Sequence, residues 1–330
     1  MRRVAVPLSL TSEAARPRDG RSVSLTGPTM GVAWSLKAWA PQGLTDAMLA
    51  AAVQTACDTV VAQMSTWEPD SDIGRYNAAE PGVWAAAPAH LLTVLEAALE
   101  VAGLSDGAFD PTVGSLVDLW GFGPAGPVTT EPAASRLRAA SLGWRDVRID
   151  AGKGLIFQPG GLRLDLSGIA KGFGVDLAVE ALEALGVRDY LLEVGGELRG
   201  GGVKGDGEPW WVEIEPPPDA DFYEPPILVA LHGLSIATSG DWRRTWSVGG
   251  MRYSHTLDPA TRAPVDGAVA AVSVLHERCM RADALCTALT VLGRGAQAFA
   301  IRHDIAAHIV SRDGGRLREW VSPALQRMLD

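Results

Sequence analysis

The stretch "LRLDLSGIAKGFGVDLA", residues 162–178, joins an alternating apolar run to a glycine-containing helical segment. Leucines alternate with Arg163 and Asp165, which predicts a strand, and Ser167-Gly168 turns this strand into a helix that begins near Ile169. Gly168 lets the backbone approach a neighbour closely, and the first turn of a helix presents unpaired N–H groups that favour anions. The junction therefore has the outline of a phosphate site.

Two charged residues at this junction allow two interpretations. Lys171 could face a bound anion, whereas Asp165 would repel a phosphate and suits a sugar hydroxyl or an amide donor. The same residues are also typical of an Asp165 that caps the turn and a Lys171 on the surface. The segment alone does not decide between them.

The segments around this junction predict helices and short strands in irregular order. Apolar spacing predicts helices after Thr45 up to about Ser65, from Pro88 to Gly103, and over 280–293. Strand patterns occupy 22–40 as a pair, "VRID", "LIFQ" and "LRLDL" between 141 and 167, further runs at 189–194, 211–215, 227–231 and 270–275, and a terminal hairpin that turns at 313–315. Because strands and helices do not alternate regularly, an α+β fold with mixed or antiparallel sheets is favoured over a doubly wound sheet.

Composition narrows the class of protein. The chain has 330 residues, of which 47% are hydrophobic, so it can bury a large core. Its 39 acidic and 29 basic residues give a net charge of −10, which argues against nucleic acid as a partner. The three cysteines, Cys57, Cys279 and Cys286, show no metal-like spacing.

The N-terminal segment and the apolar runs indicate where in the cell the protein is expected and how the chain divides. We expect a flexible tail over 1–20 and one domain over 21–330, in two tightly packed lobes at most. The first residues lack the apolar run of a signal peptide and offer no cysteine for a lipid anchor. No stretch approaches the roughly 20 apolar residues of a membrane helix. We therefore expect a cytoplasmic protein without a membrane anchor.

The segment "ADALCTAL", residues 282–289, carries a candidate metal-binding pair. In a helix Asp283 and Thr287 lie four residues apart and share one face, so a carboxylate and a hydroxyl can meet one hard cation. Magnesium prefers such oxygen ligands and completes its coordination with water and substrate phosphates. Taken alone, the pair is more typical of an acid near a helix N-terminus and a threonine bonded to its own backbone.

The segment "YSHTLDPATRAPV", residues 253–265, places His255 in a polar turn beside Thr256. A histidine there can move a proton near neutral pH, although a hydrogen-bonded turn histidine has the same signature. Other stretches rich in glycine, aromatic and acidic residues are "MSTWEPDSDIGRYN" (64–77), "GAFDPTVGSLVDLWGFG" (107–123), "EVGGELRGGG" (193–202) and "ATSGDWRR" (237–244).

In this order, these motifs closely resemble the ApbE family, the FAD:protein FMN transferases, from about Thr29 to Gly293. The resemblance implies an ApbE-like, T-fold-related architecture. It also implies an enzyme that binds FAD and Mg²⁺, transfers FMN to a threonine or serine hydroxyl of an acceptor flavoprotein, and releases AMP.

The resemblance also assigns individual residues. Those that would contact FAD are Met30, Trp67, Ala108, Phe109, Asp110, Asp165, Lys171 and Thr256. The metal would bind the backbone carbonyl of Gly168 and the side chains of Asp283 and Thr287. His255 is the candidate for assisting deprotonation of the acceptor hydroxyl or for steadying the phosphate.

Trp67 stands where the family often has tyrosine, and four further residues depart from the family pattern. Val32 stands where a small polar residue is usual, Arg262 where glycine is common, and Glu193 and Glu197 replace the more usual Asn and Asp. Because these substitutions bear on substrate preference and turnover, two alternatives stay open: an FAD pyrophosphatase that uses water as acceptor, and a flavin-binding or flavin-delivery protein without catalysis.

Overall fold

The computed structural model describes residues 3–7, 9–16, 18–218, 220, 222, 225–241, 245–248 and 251–329, with backbone only at 245–248, 251 and 252. Residues 242–244 of "ATSGDWRR" lie outside this range. The described helices are α1 (Asp46–Met64), α2 (Asp72–Ala78), α3 (Ala89–Leu104), α4 (Gly114–Leu119), α5 (Ala134–Ala139), α6 (Ala170–Ala184), α7 (Cys279–Leu292), α8 (Ala296–Arg302) and α9 (Pro323–Leu329).

The described strands fall into one large sheet and several small ones. They are β1 (Arg3–Ala5), β2 (Arg21–Thr29), β3 (Val32–Ala40), β4 (Val83–Ala86), β5 (Arg148–Asp150), β6 (Leu155–Gln158), β7 (Asp189–Val194), β8 (Glu197–Gly201), β9 (Trp210–Glu213), β10 (Ile227–Leu231), β11 (Leu234–Gly240), β12 (Thr245–Val248), β13 (Met251–Ser254), β14 (Leu257–Asp258), β15 (Ala263–Pro264), β16 (Val269–His276), β17 (Ala306–Asp313) and β18 (Arg316–Val321).

An eight-stranded antiparallel sheet organises the molecule, in the order β18-β17-β16-β11-β8-β7-β3-β2. Alternate residues of its strands face opposite sides: Ala237 joins a helical core on one side, while Ile236 joins a second core on the other. Helices α1, α6 and α7 cover the first side. The small sheet β1-β10-β9 covers the second.

The two helices that cross this sheet at its centre start side by side. Gly172 near the start of α6 lies against the start of α7, because a Cβ placed on Gly172 would be 2.5 Å from the carbonyl oxygen of Cys279. Only a residue without a side chain permits this approach. The N-terminal ends of α6 and α7 are therefore brought to one place above the sheet.

The three helices and the strand pair predicted from periodicity are confirmed. Thr45 accepts a hydrogen bond from Met48 N at 3.2 Å and so caps α1, and β2 and β3 pair around a turn at Met30-Gly31. Pro28 is tolerated inside β2 because β2 is an edge strand. The terminal hairpin turns at Gly314-Gly315, as predicted.

The strand predicted at "LRLDL" is wrong. Leu162, Leu164 and Leu166 are buried as the alternation requires, but the only pairing described there is a single bridge between Arg163 and Val113. The side chain of Asn77 takes both backbone groups of Leu164, donating to its carbonyl at 2.9 Å and accepting from its N–H at 2.7 Å. Since a side chain occupies the ladder positions, no neighbouring strand can use them.

Two observations differ from the expectations about the termini and the membrane. Arg3–Ala5 pairs in parallel with Ile227–Val229, so the flexible tail expected over 1–20 does not hold for these three residues. The stretches Asp46–Met64 and Cys279–Arg302 are long and apolar enough to cross a membrane by composition alone. Many of their apolar residues are buried in the core, as in the helices of a globular protein. The division into tail and domain stays a prediction.

Candidate functional site

The three predicted metal-binding groups meet where α6 and α7 start. Asp283 and Thr287 lie one turn apart on α7, and a Cβ placed on Gly168 would be 2.9 Å from Thr287 Oγ1. Asp283 is 4% exposed, and its Oδ2 accepts a hydrogen bond from Gly172 N at 3.0 Å. A carboxylate, a hydroxyl and a backbone turn thus converge from two helices.

Charge is concentrated beside these groups. The Lys171 ammonium pairs with Glu197 Oε1 on β8 and also acts electrostatically on Asp283. Burial, followed by the negative charge of Asp283, raises the pKa of Glu197 to about 7. Burial likewise raises the pKa of Asp283, opposed by Lys171 and by the Gly172 amide. Two buried carboxyl groups therefore lie beside one ammonium group. If both carboxyl groups ionise, one negative charge is left without a matching positive charge among these three residues.

The segment with Ala108, Phe109 and Asp110 lines the same place from another direction. Phe109 is buried, and its Cε2 would lie 3.2 Å from a Cβ on Gly168. Asp110 Oδ1 accepts from the amide of Thr112 at 2.8 Å and from its hydroxyl at 2.6 Å. Burial raises the pKa of Asp110, and these two hydrogen bonds oppose the rise.

Asp165 links that segment to the helix start. Its N–H donates to Pro111 O at 2.8 Å, and its Oδ1 accepts from Ser167 N at 2.8 Å. The capping interpretation of Asp165 is therefore correct for one oxygen. The alternative of a surface Lys171 is not, because Lys171 is partly buried and ion-paired.

Met30 and Trp67 occupy separate loops. Met30 has a left-handed backbone (φ 47°) in the β2–β3 turn, and its Cε would contact a Cβ on Gly174 of α6 at 3.0 Å. Trp67 follows α1 and is 61% exposed, so its ring is available to a ligand. Stacking surfaces of this kind suit a planar ring.

His255 and Thr256 are half-buried and lie between β13 and β14. The Thr256 amide donates to Ser254 Oγ at 3.2 Å, and its carbonyl accepts from Val265 N at 3.0 Å. The next residue, Leu257, packs on α4 with Leu116. We call residues 255 and 256 the histidine loop. Because α4 begins directly after the 108–112 segment, this contact anchors the histidine loop to the segment that lines the site.

Arg262 shows why glycine is common at its position. It adopts a left-handed backbone, with φ 60°, which glycine enters at little cost. Its Nη1 donates to the carbonyls of Leu137 and Ala140, both at 2.7 Å, at the end of α5. Its charge is thus engaged by α5 carbonyls and fastens the histidine loop to α5.

Two other residues that depart from the family pattern, Val32 and Glu193, contact residues on neighbouring segments. Val32 packs against the turn at Gly195, where a Cβ would lie 2.8 Å from Val32 Cγ2. Glu193 accepts a hydrogen bond from Ser35 Oγ at 3.4 Å across two paired strands.

Two residues of the site were missed as functional candidates. Glu197 was noted only as a departure, yet it is 3% exposed and its Oε2 has no hydrogen-bond partner among the described residues. Asp176 on α6 is fully buried at the start of α7. The signals available in the sequence are an acid within the glycine-rich stretch 193–202, which is Glu197, and an acid five residues after Lys171, which is Asp176.

The donor set fits a hard divalent cation. Glu197 Oε2 is a buried oxygen without a partner in the described part of the chain, and Thr287 Oγ1 lies beside the Gly168 backbone. Oxygen donors alone select magnesium or calcium over softer metals. Among the residues that the structure describes, no group of three or more His, Cys, Asp or Glu side chains is arranged so that it could hold a metal ion by itself. A cation here would therefore rely on a carbonyl and a hydroxyl as well as Asp283.

Comparison with known proteins places these residues in a family. The chain is 36% identical to the FAD:protein FMN transferase of Vibrio cholerae serotype O1, with 97% of each chain covered. It is 33% identical to the protein of that name from Haemophilus influenzae, covering 99% of this chain and 96% of the relative.

Solved structures of flavin transferases are also similar to this chain. The flavinyl transferase ApbE of Pseudomonas stutzeri, in its apo form, superposes with a TM-score of 0.86 at 37% identity, covering 94% of this chain and 97% of that one. The flavin transferase ApbE from Vibrio cholerae gives 0.85 at 34% identity, covering 94% and 99%. The α+β fold is thereby confirmed. Since the ApbE family profile matches residues 30–309, most of the chain, this protein belongs to the ApbE family.

Proposed function

We propose that this chain is an FAD:protein FMN transferase that uses Mg²⁺, transfers FMN to a threonine or serine hydroxyl of an acceptor flavoprotein, and releases AMP. The names of its relatives support flavin transfer from FAD to a protein. The observation that carries the magnesium part is the oxygen-only donor set at the start of α6 and α7, in which the Asp283 carboxylate is buried.

The proposed cation ligands are the Gly168 carbonyl, Asp283 and Thr287. A divalent cation held there would neutralise negative charge on the FAD pyrophosphate. Asp283 has one oxygen committed to Gly172 N, which fixes the orientation of the carboxylate before any ligand arrives. The Lys171 ammonium and the Glu197 carboxyl group, which form an ion pair, are the other charged groups beside Asp283.

The remaining proposed contacts surround the two ends of FAD. Trp67 offers an exposed ring for stacking, and Met30 contacts α6 at Gly174. Ala108, Phe109 and Asp110 form one wall, Asp165 offers an oxygen to a ligand hydroxyl or amide, and Thr256 closes the opposite side. We assign Lys171 to the pyrophosphate because its ammonium group acts electrostatically on Asp283, a proposed cation ligand.

The reaction balances as a substitution at phosphorus. The acceptor hydroxyl oxygen forms a bond to the phosphorus of the FMN portion, and the bond from that phosphorus to the bridging oxygen breaks, so that AMP leaves with that oxygen. The hydroxyl proton passes to His255, which is our proposed general base. The chain's contribution is mainly to align the reactants and exclude water.

The test uses the purified protein, FAD and MgCl₂, with and without a candidate acceptor flavoprotein. Mass spectrometry should find FMN on one acceptor threonine or serine, and chromatography should find an equal amount of AMP. Asp283→Ala should lower the rate by more than about 100-fold, since removal of even an outer-shell partner typically costs 10–100-fold.

Three outcomes discriminate between functions. Free FMN and AMP without an acceptor would indicate a pyrophosphatase instead. Intact FAD bound to the protein after long incubation with Mg²⁺ would indicate a flavin-binding or flavin-delivery protein. An Asp283→Ala variant with wild-type turnover would contradict the metal assignment.

A further inference from the structure

Helix α7, which carries Asp283 and Thr287, begins without a cap of its own. The residue before it, Arg278, makes no side-chain capping hydrogen bond. Instead Cys279 N donates to Asp176 Oδ1 at 3.0 Å and Met280 N to Asp176 Oδ2 at 3.1 Å. A helix N-terminus is usually capped by the side chain just before it, whereas here the cap comes from a different helix, α6.

Asp176 is held in place by charges as well as amides. It is completely buried, Arg199 of β8 pairs with its Oδ1, and Arg278 Nε lies 3.3 Å from its Oδ2. A buried carboxylate with two amide donors and two guanidinium groups is satisfied on both oxygens. Its position, and that of the helix start that it binds, is consequently well determined.

The contact is reciprocal. Asp283 of α7 accepts a hydrogen bond from Gly172 N in the first turn of α6, so each helix supplies a carboxylate to the start of the other. Gly172 allows the backbones to touch, since a Cβ there would lie 2.7 Å from Met280 Cα. The two carboxylates fix how α7 sits on α6, and thereby where Asp283 and Thr287 lie relative to Gly168.

We propose that Asp176 is the positioning residue of the cation site: by capping α7 from α6 it sets Asp283 and Thr287 at the distance from Gly168 that a divalent cation requires. This inference rests on the proposed function. Mg²⁺ demands near-ideal octahedral geometry, so a small displacement of α7 would weaken its binding well before the helix itself is lost. Asp176 itself acts only through α7.

The test compares Asp176→Asn with Asp189→Asn. Asp189 on β7 is also buried, accepts from Val203 N at 3.0 Å and pairs with Arg18, so it matches Asp176 in burial and in the kinds of partner, an amide and a guanidinium, but belongs to another part of the sheet. Both variants replace a carboxylate by an amide of the same shape. Thermal unfolding gives their stability, and titration calorimetry well below the unfolding temperature gives the Kd for Mg²⁺ of the folded protein.

We expect both variants to melt at a lower temperature, and only Asp176→Asn to bind Mg²⁺ about 10–100-fold more weakly. Should Asp176→Asn fail to fold, Arg278→Gln removes one guanidinium from Asp176 and leaves both amide bonds, and we expect a smaller rise in Kd. A purely structural role would lower the melting temperature without changing the Kd.

An unchanged Kd in Asp176→Asn, or in Arg278→Gln where that variant replaces it, overturns the inference and leaves the proposed function intact. The same holds if Asp189→Asn weakens Mg²⁺ binding as much. A wild-type protein that binds no Mg²⁺ overturns the proposed metal site and this inference with it.

Discussion

Gly168 lacks a side chain for reasons of space rather than of backbone conformation. Its φ is not among the left-handed values of this chain, but a Cβ would lie 2.9 Å from Thr287 Oγ1 and 3.2 Å from Phe109 Cε2. The glycine therefore brings three separate segments together. This close contact is the physical reason for a glycine three residues after Asp165, just before α6 begins.

The hydroxyl of Thr287 can be tested without disturbing its helix. Thr287→Val keeps the shape of the side chain and removes the oxygen that faces Gly168, so we expect Mg²⁺ to bind at least about tenfold more weakly, by calorimetry. The matched control is Thr290→Val, because Thr290 Oγ1 is buried and only bonds back to Cys286 O at 2.8 Å. Equal Mg²⁺ affinities of the two variants would contradict a role for Thr287 as ligand.

Individual site residues were predictable from the sequence where the spacing between them along a helix fixes their relative positions. Asp283 and Thr287 were placed on one helix face, and the structure has them there. Glu197 was not placed in the site because its contact with Lys171 depends on β8 passing over α6, which no local pattern contains. The engagement of Arg262 with α5 likewise depends on a contact between distant segments.

The crossing of α6 and α7 depends on Gly172. Alanine is favoured over glycine in a helix interior by about 1 kcal/mol. Its Cβ, however, would lie 2.5 Å from Cys279 O and 2.7 Å from Met280 Cα, which are backbone atoms that cannot rotate away. Overpacking of this kind costs about 1–3 kcal/mol or more, so the clash outweighs the helix propensity.

We therefore expect Gly172→Ala to lower the free energy of unfolding by about 1–2 kcal/mol, measured by urea denaturation. The control is Gly295→Ala, where a Cβ meets nothing within 4 Å and the backbone is right-handed helical. That variant should be neutral or slightly more stable. A Gly172→Ala protein as stable as Gly295→Ala would show that the two helices separate easily.

Elements were predictable where their own side chains determine them. Apolar periodicity located α1, α3 and α7 to within a residue or two, because each buries one face of its own sequence. The alternation of "LRLDL" correctly identified buried leucines and incorrectly predicted a strand. Both backbone hydrogen bonds of Leu164, in the middle of this stretch, go to Asn77, a residue 87 positions away, and periodicity carries no information about such a partner.

The strand order of the eight-stranded sheet cannot be derived from local sequence patterns. Neighbours such as β8 and β11, or β3 and β7, are separated by long stretches of chain, so their pairing depends on the complete core. Composition and pattern favoured an α+β class, and the ordered motifs specified the family. For the N-terminal strand β1, by contrast, the sequence predicts only a tail, because its three residues show no usable pattern.

That N-terminal strand is joined to the far edge of the large sheet by one glutamate. Arg3 donates to both oxygens of Glu319 on β18 at 2.7 Å each, and His308 Nε2 lies 2.7 Å from Glu319 Oε1. Burial alone would raise the pKa of Glu319, but the hydrogen bonds and charges of His308 and Arg3 outweigh it and lower the pKa to about 2.

A lowered pKa makes this contact a source of pH-dependent stability. Because the folded protein holds the Glu319 carboxylate ionised more strongly than the unfolded chain does, the stabilisation is complete above the ordinary glutamate pKa of about 4.3 and is lost as the pH falls toward about 2. Glu319→Gln should therefore be less stable than the wild type at pH 7. The difference in free energy of unfolding should shrink steadily between pH 5 and pH 3.

Urea denaturation at a series of pH values measures this difference directly. Asp313→Asn is the control, because Asp313 lies on the same hairpin and its pair with Arg318 is largely exposed, and exposed pairs contribute about 0–1 kcal/mol. We expect Asp313→Asn to follow the wild-type pH dependence. If the deficit of Glu319→Gln were constant from pH 7 to pH 3, the Glu319 carboxylate would not be the group whose ionisation fastens β1 to the large sheet.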